Sequence, residues 1–390
     1  MRVHVVVPEG FDNPRQPTGG NIYDRRICAG LAEAGWEVLV ATVAATRPIP
    51  VSGARADLDR VVSAIPDGET VLIDGLIASP AATQLLPHTG RIRMTVLLHM
   101  PLSTAVNAHH DAGAERSERA VLSAERSERA VLSVERSERA VLSAAAGVVV
   151  TSEWTRRQVM TRYAIPACRV HVARPGVDPV AAPARPVRGH LICVGVLGRH
   201  KGQDLLIEAL AGLADQDWHC VLVGSLDRDP DFVEQLQTRI TSLGYDHRVR
   251  LTGVLYGAAL SRAYTTADLL VAPSRYETYG MTVTEALAYG LPVIAAAVGG
   301  LPEALGFAAD GTRPGQLIPP GDPAALAAAL ADWLGSEGHR HRLRAAARQR
   351  RLTLRGWEQT THEIANALTT DAGSEPVLPA LNNHLGETVR

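Results

Sequence analysis

The chain has 390 residues, of which 46% are hydrophobic and 21% charged. That balance excludes wholesale disorder, and the length points to two or three domains. A formal net charge of −2 leaves no electrostatic footprint for nucleic acid and no general attraction to anionic lipid.

In chain order, short apolar runs alternate with helical patterns, the signature of βαβ units and parallel sheets. The first half carries strand candidates at Val3–Val7, Glu37–Thr42, Thr70–Asp74, Arg93–His99, Gly147–Thr151 and Val170–Ala173. The second carries Leu191–Leu197, Trp218–Gly224, Val249–Thr252, Leu269–Ala272 and Val293–Ala296. The expected architecture is α/β, with a first Rossmann-like domain over 1–180, an Ala/Pro-rich linker over 181–188 and a second domain over 189–352. Helices are expected at Pro323–Leu334, within His339–Arg351 and at Trp357–Leu368. The polar, aperiodic tail after Thr370 is expected to lie loosely or unordered.

The chain enters directly on a strand, so no signal peptide is expected. No run approaches the roughly 20 apolar residues of a membrane span. Four cysteines, Cys28, Cys168, Cys193 and Cys220, are far apart and lack C-x-x-C spacing, which suits reduced thiols in the cytoplasm.

Ala114–Ser123, Ala124–Ser133 and Val134–Ser143 are near-identical decapeptides, each carrying ERSERAVLS. Glu115 and Arg119 are placed for a favourable i, i+4 pair. Ten residues turn a helix by about 1000°, about 80° short of three turns. The Val-Leu pair therefore walks round the helix, and one copy can face a core where three cannot. The reading is a duplication that lengthens one helix over about 114–146 and carries no chemistry.

Chemistry concentrates between Ser274 and Glu303, SRYETYGMTVTEALAYGLPVIAAAVGGLPE. Glu277 would lie in the loop after strand Leu269–Ala272, and Glu285 on the following helix. Open α/β sheets bind ligands at the carboxyl ends of their strands, and free N–H groups at a helix start attract phosphate. A carboxylate accepts hydrogen bonds from paired hydroxyls such as those of a sugar or ribose. Upstream, Gly198–Gly202 (GRHKG) offers Arg199 and Lys201 as fixed cations, which can stabilise a leaving diphosphate in place of a metal. Asp227-Arg228-Asp229 has the letters of a metal motif but sits in a turn, and no metal site is expected. In the first half, Gly19-Gly20 follow the loop after the first strand, where glycine permits close approach and positive φ. His99 ends an apolar strand. His109, His110, His339 and His341 have no recognisable ligand partners.

The spacing Glu277-x7-Glu285, followed by Gly290, Pro292–Ile294 and Gly299–Glu303, resembles the family-4 group of retaining glycosyltransferases with the GT-B fold. The resemblance extends through Val194–Leu210, Val148–Arg157, Arg174–Pro179 and Pro17–Val38. It implies two Rossmann-like domains facing each other across a cleft, with the terminal helix within 353–370 crossing back to the first. It further implies transfer of a hexosyl group from a nucleotide-diphosphate sugar with retention, no metal or other cofactor, and a small-molecule, glycan or lipid-linked acceptor. Glu277 would contact the donor sugar and Glu285 the ribose. Backbone at Gly280, Met281 and Thr282 would meet the diphosphate or sugar, and Lys201 the diphosphate. Gly19 and Gly20 would face the donor phosphates and acceptor, and His99 the sugar. The family's usual Arg after Val-Gly is Val196 here, and Arg199 is the candidate replacement. Two other readings stand beside this one. One is a GT-B protein that binds nucleotide sugar without transfer, favoured by Val196. The other is a nicotinamide dehydrogenase, disfavoured because no G-x-G-x-x-G follows the first strand.

Overall fold

The computed structural model describes residues 1–13, 17–44, 52–102, 132–181 and 185–370. Within them the chain forms two six-stranded sheets. The first comprises β1 (Arg2–Pro8), β2 (Glu37–Val43), β3 (Thr70–Asp74), β4 (Arg93–Leu98), β5 (Gly147–Val150) and β6 (Val170–Val172), ordered β2-β1-β3-β4-β5-β6. The second comprises β7 (His190–Val194), β8 (His219–Val223), β9 (Val249–Leu251), β10 (Leu269–Ala272), β11 (Val293–Ala296) and β12 (Gly315–Ile318), ordered β12-β11-β10-β7-β8-β9. Every pairing is parallel.

Strands such as Val148–Val150 and Leu269–Val271 are continuous aliphatic runs because both faces of each sheet are covered. One face of the first sheet packs Val6, Ile73, Val96 and Val148 beneath Leu58, Val141 and Val159. The other packs Val5, Leu72 and Val149 against Tyr23, Ile27 and Leu31, with Ile364 and Leu368 from the end of the chain. In the second sheet, Trp218, Phe232 and Trp333 fill one face, and Tyr264, Val283 and Leu301 the other.

Eleven strands fall where the sequence suggested, several trimmed at their ends, and His99 lies one residue beyond β4. The exception is β12, a four-residue edge strand bounded by Pro314 and Pro319, whose composition reads as loop. It forms because Gly315 lies directly on the Val293 carbonyl, 1.9 Å from where a Cβ would stand.

Of the decapeptides, the structure describes a helix over 132–144, and residues 103–131, with most of the expected long helix, lie outside the described residues. The third copy is docked. Val141 and Leu142 are fully buried, Glu135 pairs with Arg139 at 3.8 Å, and the buried Glu138 accepts from Ser79 Oγ at 2.8 Å and Leu102 N at 2.9 Å. Residues 182–184 of the expected linker, His109 and His110, and the tail 371–390 also lie outside. Among the described residues, no helix is long and apolar enough to cross a membrane.

Helix Trp357–Thr369 leaves the second half and packs against helix Gly19–Glu33. The approach is so close that a Cβ on Gly30 would stand 2.2 Å from Thr361 Oγ1. Hydrogen bonds from Val177 N to Arg355 O (2.9 Å) and from Thr360 Oγ1 to Arg174 O (2.7 Å) clamp this return to the end of the first half. Gly30→Val should force these helices apart and destabilise the protein by about 1–3 kcal/mol. Urea unfolding followed by circular dichroism measures the loss, and an unchanged midpoint would show that the contact yields freely.

Candidate active site

Strand order changes direction at one point in each sheet. In the second it lies between β7 and β10, which are hydrogen-bonded neighbours whose crossovers leave in opposite directions. The loops at their carboxyl ends diverge and open a crevice, the usual ligand position in such sheets. Lys201 occupies the β7 loop and Glu277 the β10 loop, and they meet: Lys201 Nζ donates to Glu277 Oε2 at 2.5 Å.

Backbone contacts set this meeting. Arg275 N donates to His200 O at 2.9 Å, joining the two loops. Gly202 takes φ +71°, and a Cβ there would stand 2.2 Å from Pro273 O. Gly299 takes φ +58°, with a virtual Cβ 1.6 Å from Glu277 O, while Gly300 N donates to that carbonyl at 3.0 Å. The Gly-Gly pair is thus the floor on which the Glu277 loop rests. Arg275 locks the assembly by gripping Asp204 with both guanidinium nitrogens (2.8 and 2.7 Å).

Gly280 begins helix Met281–Ala288, whose first turn presents Met281 and Thr282 beside this loop. Glu285 lies on the same helix and accepts from the buried Tyr264 hydroxyl at 2.8 Å, while Tyr264 stacks on Tyr289. Burial raises the Glu285 pKa to about 7 against the lowering effect of the Tyr264 bond. Tyr264, unnoticed in the sequence, is the residue that aims this carboxylate.

Arg199 is not brought to this pair. Its guanidinium donates to Gln235 at 2.6 Å and lies over the Phe232 ring. The reason is local: Arg199–Lys201 form a 3-10 turn that sends successive side chains in different directions. Asp229, the second aspartate of Asp-Arg-Asp, caps helix Pro230–Ser242 by accepting from Phe232 N.

On the facing half, Gly19 and Gly20 are the first residues of helix Gly19–Glu33, capped by Thr18. Neither has positive φ, so that part of the sequence expectation is corrected. What both use is the missing side chain. A Cβ on Gly20 would stand 3.2 Å from the His99 ring, and one on Gly19 3.6 Å from Met281 Sδ across the cleft. Met281, Gly19, Gly20 and His99 therefore form one continuous wall.

His99 Nε2 lies 2.8 Å from Asp24 Oδ1 and 3.8 Å from Asp74 Oδ2. Burial alone would lower the imidazole pKa, but the charge and hydrogen bond of Asp24, with Asp74 behind, raise it to about 9. Burial and the neighbouring Asp24 push Asp74 well above the carboxylate range. These three side chains offer ligand atoms within 4.8 Å of one another. Neither aspartate stood out in the sequence, because each lies among ordinary helix or strand residues.

The halves are pinned where the last motif residue crosses over. Glu303 accepts from Glu153 N at 2.9 Å and from Arg174, and Ser152 Oγ donates to Thr278 O at 2.7 Å.

Two facing parallel sheets with paired crevice loops define a GT-B protein. Residues 17–180 match the model described as Glycosyltransferase Family 4 and residues 185–350 the one described as Glycosyl transferases group 1. The chain belongs to this glycosyltransferase family. It is 31% identical over 227 residues to the D-inositol 3-phosphate glycosyltransferase of Jonesia denitrificans, covering 53% of this chain and 52% of that one. The chain spans about half the length of the curated relatives it matches. By structure it is similar to sucrose-phosphate synthase from Thermosynechococcus elongatus, with a TM-score of 0.72, 23% identity, and 94% of this chain and 98% of that chain covered. It is also similar to Anabaena HepE in complex with UDP and glucose, with a TM-score of 0.70, 18% identity, and 94% and 99% covered.

The raised Glu285 pKa has a consequence for folding. The unfolded chain releases that proton near 4.5 and the folded chain near 7. Between those values the folded state binds more protons, so stability falls as pH rises through the window. Glu285→Gln cannot ionise and should be more stable than the wild type by about 1–3 kcal/mol at pH 8, with little difference at pH 4.5. Urea titrations at both pH values test the sign.

Proposed function

We propose that the chain transfers a hexosyl group from a nucleotide-diphosphate sugar to an acceptor hydroxyl, retaining the anomeric configuration and using no metal. The observation that carries this reading is the Lys201–Glu277 pair at the crevice of the second sheet, facing His99 and Gly20 across the Gly19–Met281 contact. The relatives' names support it: one acts on D-inositol 3-phosphate, and the HepE structure holds UDP. A UDP-sugar is therefore the first donor to try.

In the reaction, the bond from the anomeric carbon to the phosphate oxygen breaks and its electron pair leaves on the diphosphate. Lys201 and the N–H groups of Met281 and Thr282 oppose the growing charge. Glu277 then accepts hydrogen bonds from sugar hydroxyls, while Glu285, aimed by Tyr264, takes the ribose. The acceptor oxygen bonds to the same face of the anomeric carbon, and its proton passes to the departing phosphate oxygen. His99, charged beside Asp24, donates to the sugar rather than removing a proton. The walls of the two halves exclude water that would otherwise hydrolyse the donor.

A second reading, nucleotide-sugar binding without transfer, draws on Val196 in the family's arginine position and on Arg199 turned to Gln235. UDP-, GDP- and ADP-sugars should be screened for acceptor-independent hydrolysis, followed by acceptor trials. Turnover of one donor is expected to persist in EDTA and to fall by about a hundred-fold or more in Lys201→Ala. Activity lost in EDTA and restored by a divalent ion would overturn the metal-free mechanism. Tight nucleotide binding with no product would establish the second reading.

A further inference from the structure

Behind the crevice lies a separate cavity of about 220 Å³, whose walls include neither Lys201, Glu277 nor Glu285. Thr284 lines it while Glu285, the next residue, turns about 100° away round the helix. Its walls come from three parts of the chain: Arg174 at the end of the first half, Tyr279 and Glu303 in the second, and Arg350 and Arg355 on the segment returning to the first.

Three guanidinium groups converge here. Arg174 is paired with Glu303 and Arg355 with Glu363. Arg350 differs. Its Nη1 donates to Thr353 O (3.2 Å) and Oγ1 (2.9 Å), no carboxylate among the described residues reaches it, and its Nε is buried without a partner. Burial accordingly pulls its pKa down. Beside it, Tyr279 is 6% exposed and lines the same cavity. A half-buried cation without a counter-ion is costly unless something supplies one.

We infer that this hinge cavity is a binding site for a small phosphate-bearing anion, held by the Arg350 guanidinium and the Tyr279 hydroxyl. A phosphate group has enough oxygens to engage several donors arriving from different walls, whereas a carboxylate is satisfied by one guanidinium fork. The volume is below the roughly 300–1,000 Å³ of sites for drug-sized ligands, so the organic part is no larger than a simple sugar. Because its walls come from both halves, a bound anion bridges them.

The test is calorimetric titration of the full chain, at constant ionic strength, with inorganic phosphate and separately with glucose 6-phosphate. At least one should bind saturably at one site. Binding of phosphate alone would identify the free ion as sufficient, and binding of only glucose 6-phosphate would assign the ester. Arg350→Gln should weaken binding about ten-fold or more and Tyr279→Phe several-fold. Arg350→Lys should keep part of it, and Lys201→Ala should leave it unchanged. If Arg350→Gln does not fold, Tyr279→Phe and Arg350→Lys carry the comparison. Saturable binding by neither probe, or binding lost in Lys201→Ala and intact in the Arg350 and Tyr279 variants, overturns the proposal.

Discussion

Backbone packed on backbone is the constraint behind everything else in the crevice. Lys201 and Glu277 are 76 residues apart and carried by different loops. They meet because Gly202 lies against the Pro273 carbonyl and Gly299 against the Glu277 carbonyl, at distances no side chain tolerates. A single Cβ at either glycine would enter the space of a carbonyl oxygen. The carbonyl belongs to a loop that also receives hydrogen bonds from two sides, so the displacement would reach the carboxylate. The chemistry of the pair is therefore stored in the spacing of glycines more than in the two charged residues.

The two halves solve opposite electrostatic problems. The second half exposes a cation and an anion to each other at the crevice and leaves both accessible. The first half buries its titratable group and surrounds it with acid. Asp24 and Asp74 arrive from a helix and a strand end, and both focus on His99. A neutral imidazole would be the cheaper state in an apolar pocket. The paired aspartates reverse that preference and favour the charged ring.

Most of the fold was legible because parallel strands buried on both faces leave unbroken aliphatic runs. Val148–Val150 and Val293–Ala296 need no context to be recognised. β12 was not legible: an edge strand four residues long between prolines carries little hydrophobic signal, and its pairing is decided by Gly315 meeting Val293. The same division holds at the site. Lys201, Glu277 and Glu285 stand in recognisable spacing, the first two on the crevice loops and Glu285 on the helix that follows. Asp24, Asp74 and Tyr264 act through contacts 21 to 75 residues away in sequence, which no local pattern encodes. Arg199 lies elsewhere, on Gln235 and Phe232. Closeness in sequence to Val196 suggested it as a substitute cation, but a tight turn directs neighbouring side chains apart.

The decapeptide nearest β5 places Glu138 in a socket formed by Ser79, Leu102 and Tyr163, with Val141 and Leu142 beneath it. The same residues stand in the same order in the two preceding copies, at Glu118 and Glu128 and the Val-Leu pairs that follow them. Loss or gain of one copy therefore regenerates an identical key for that socket.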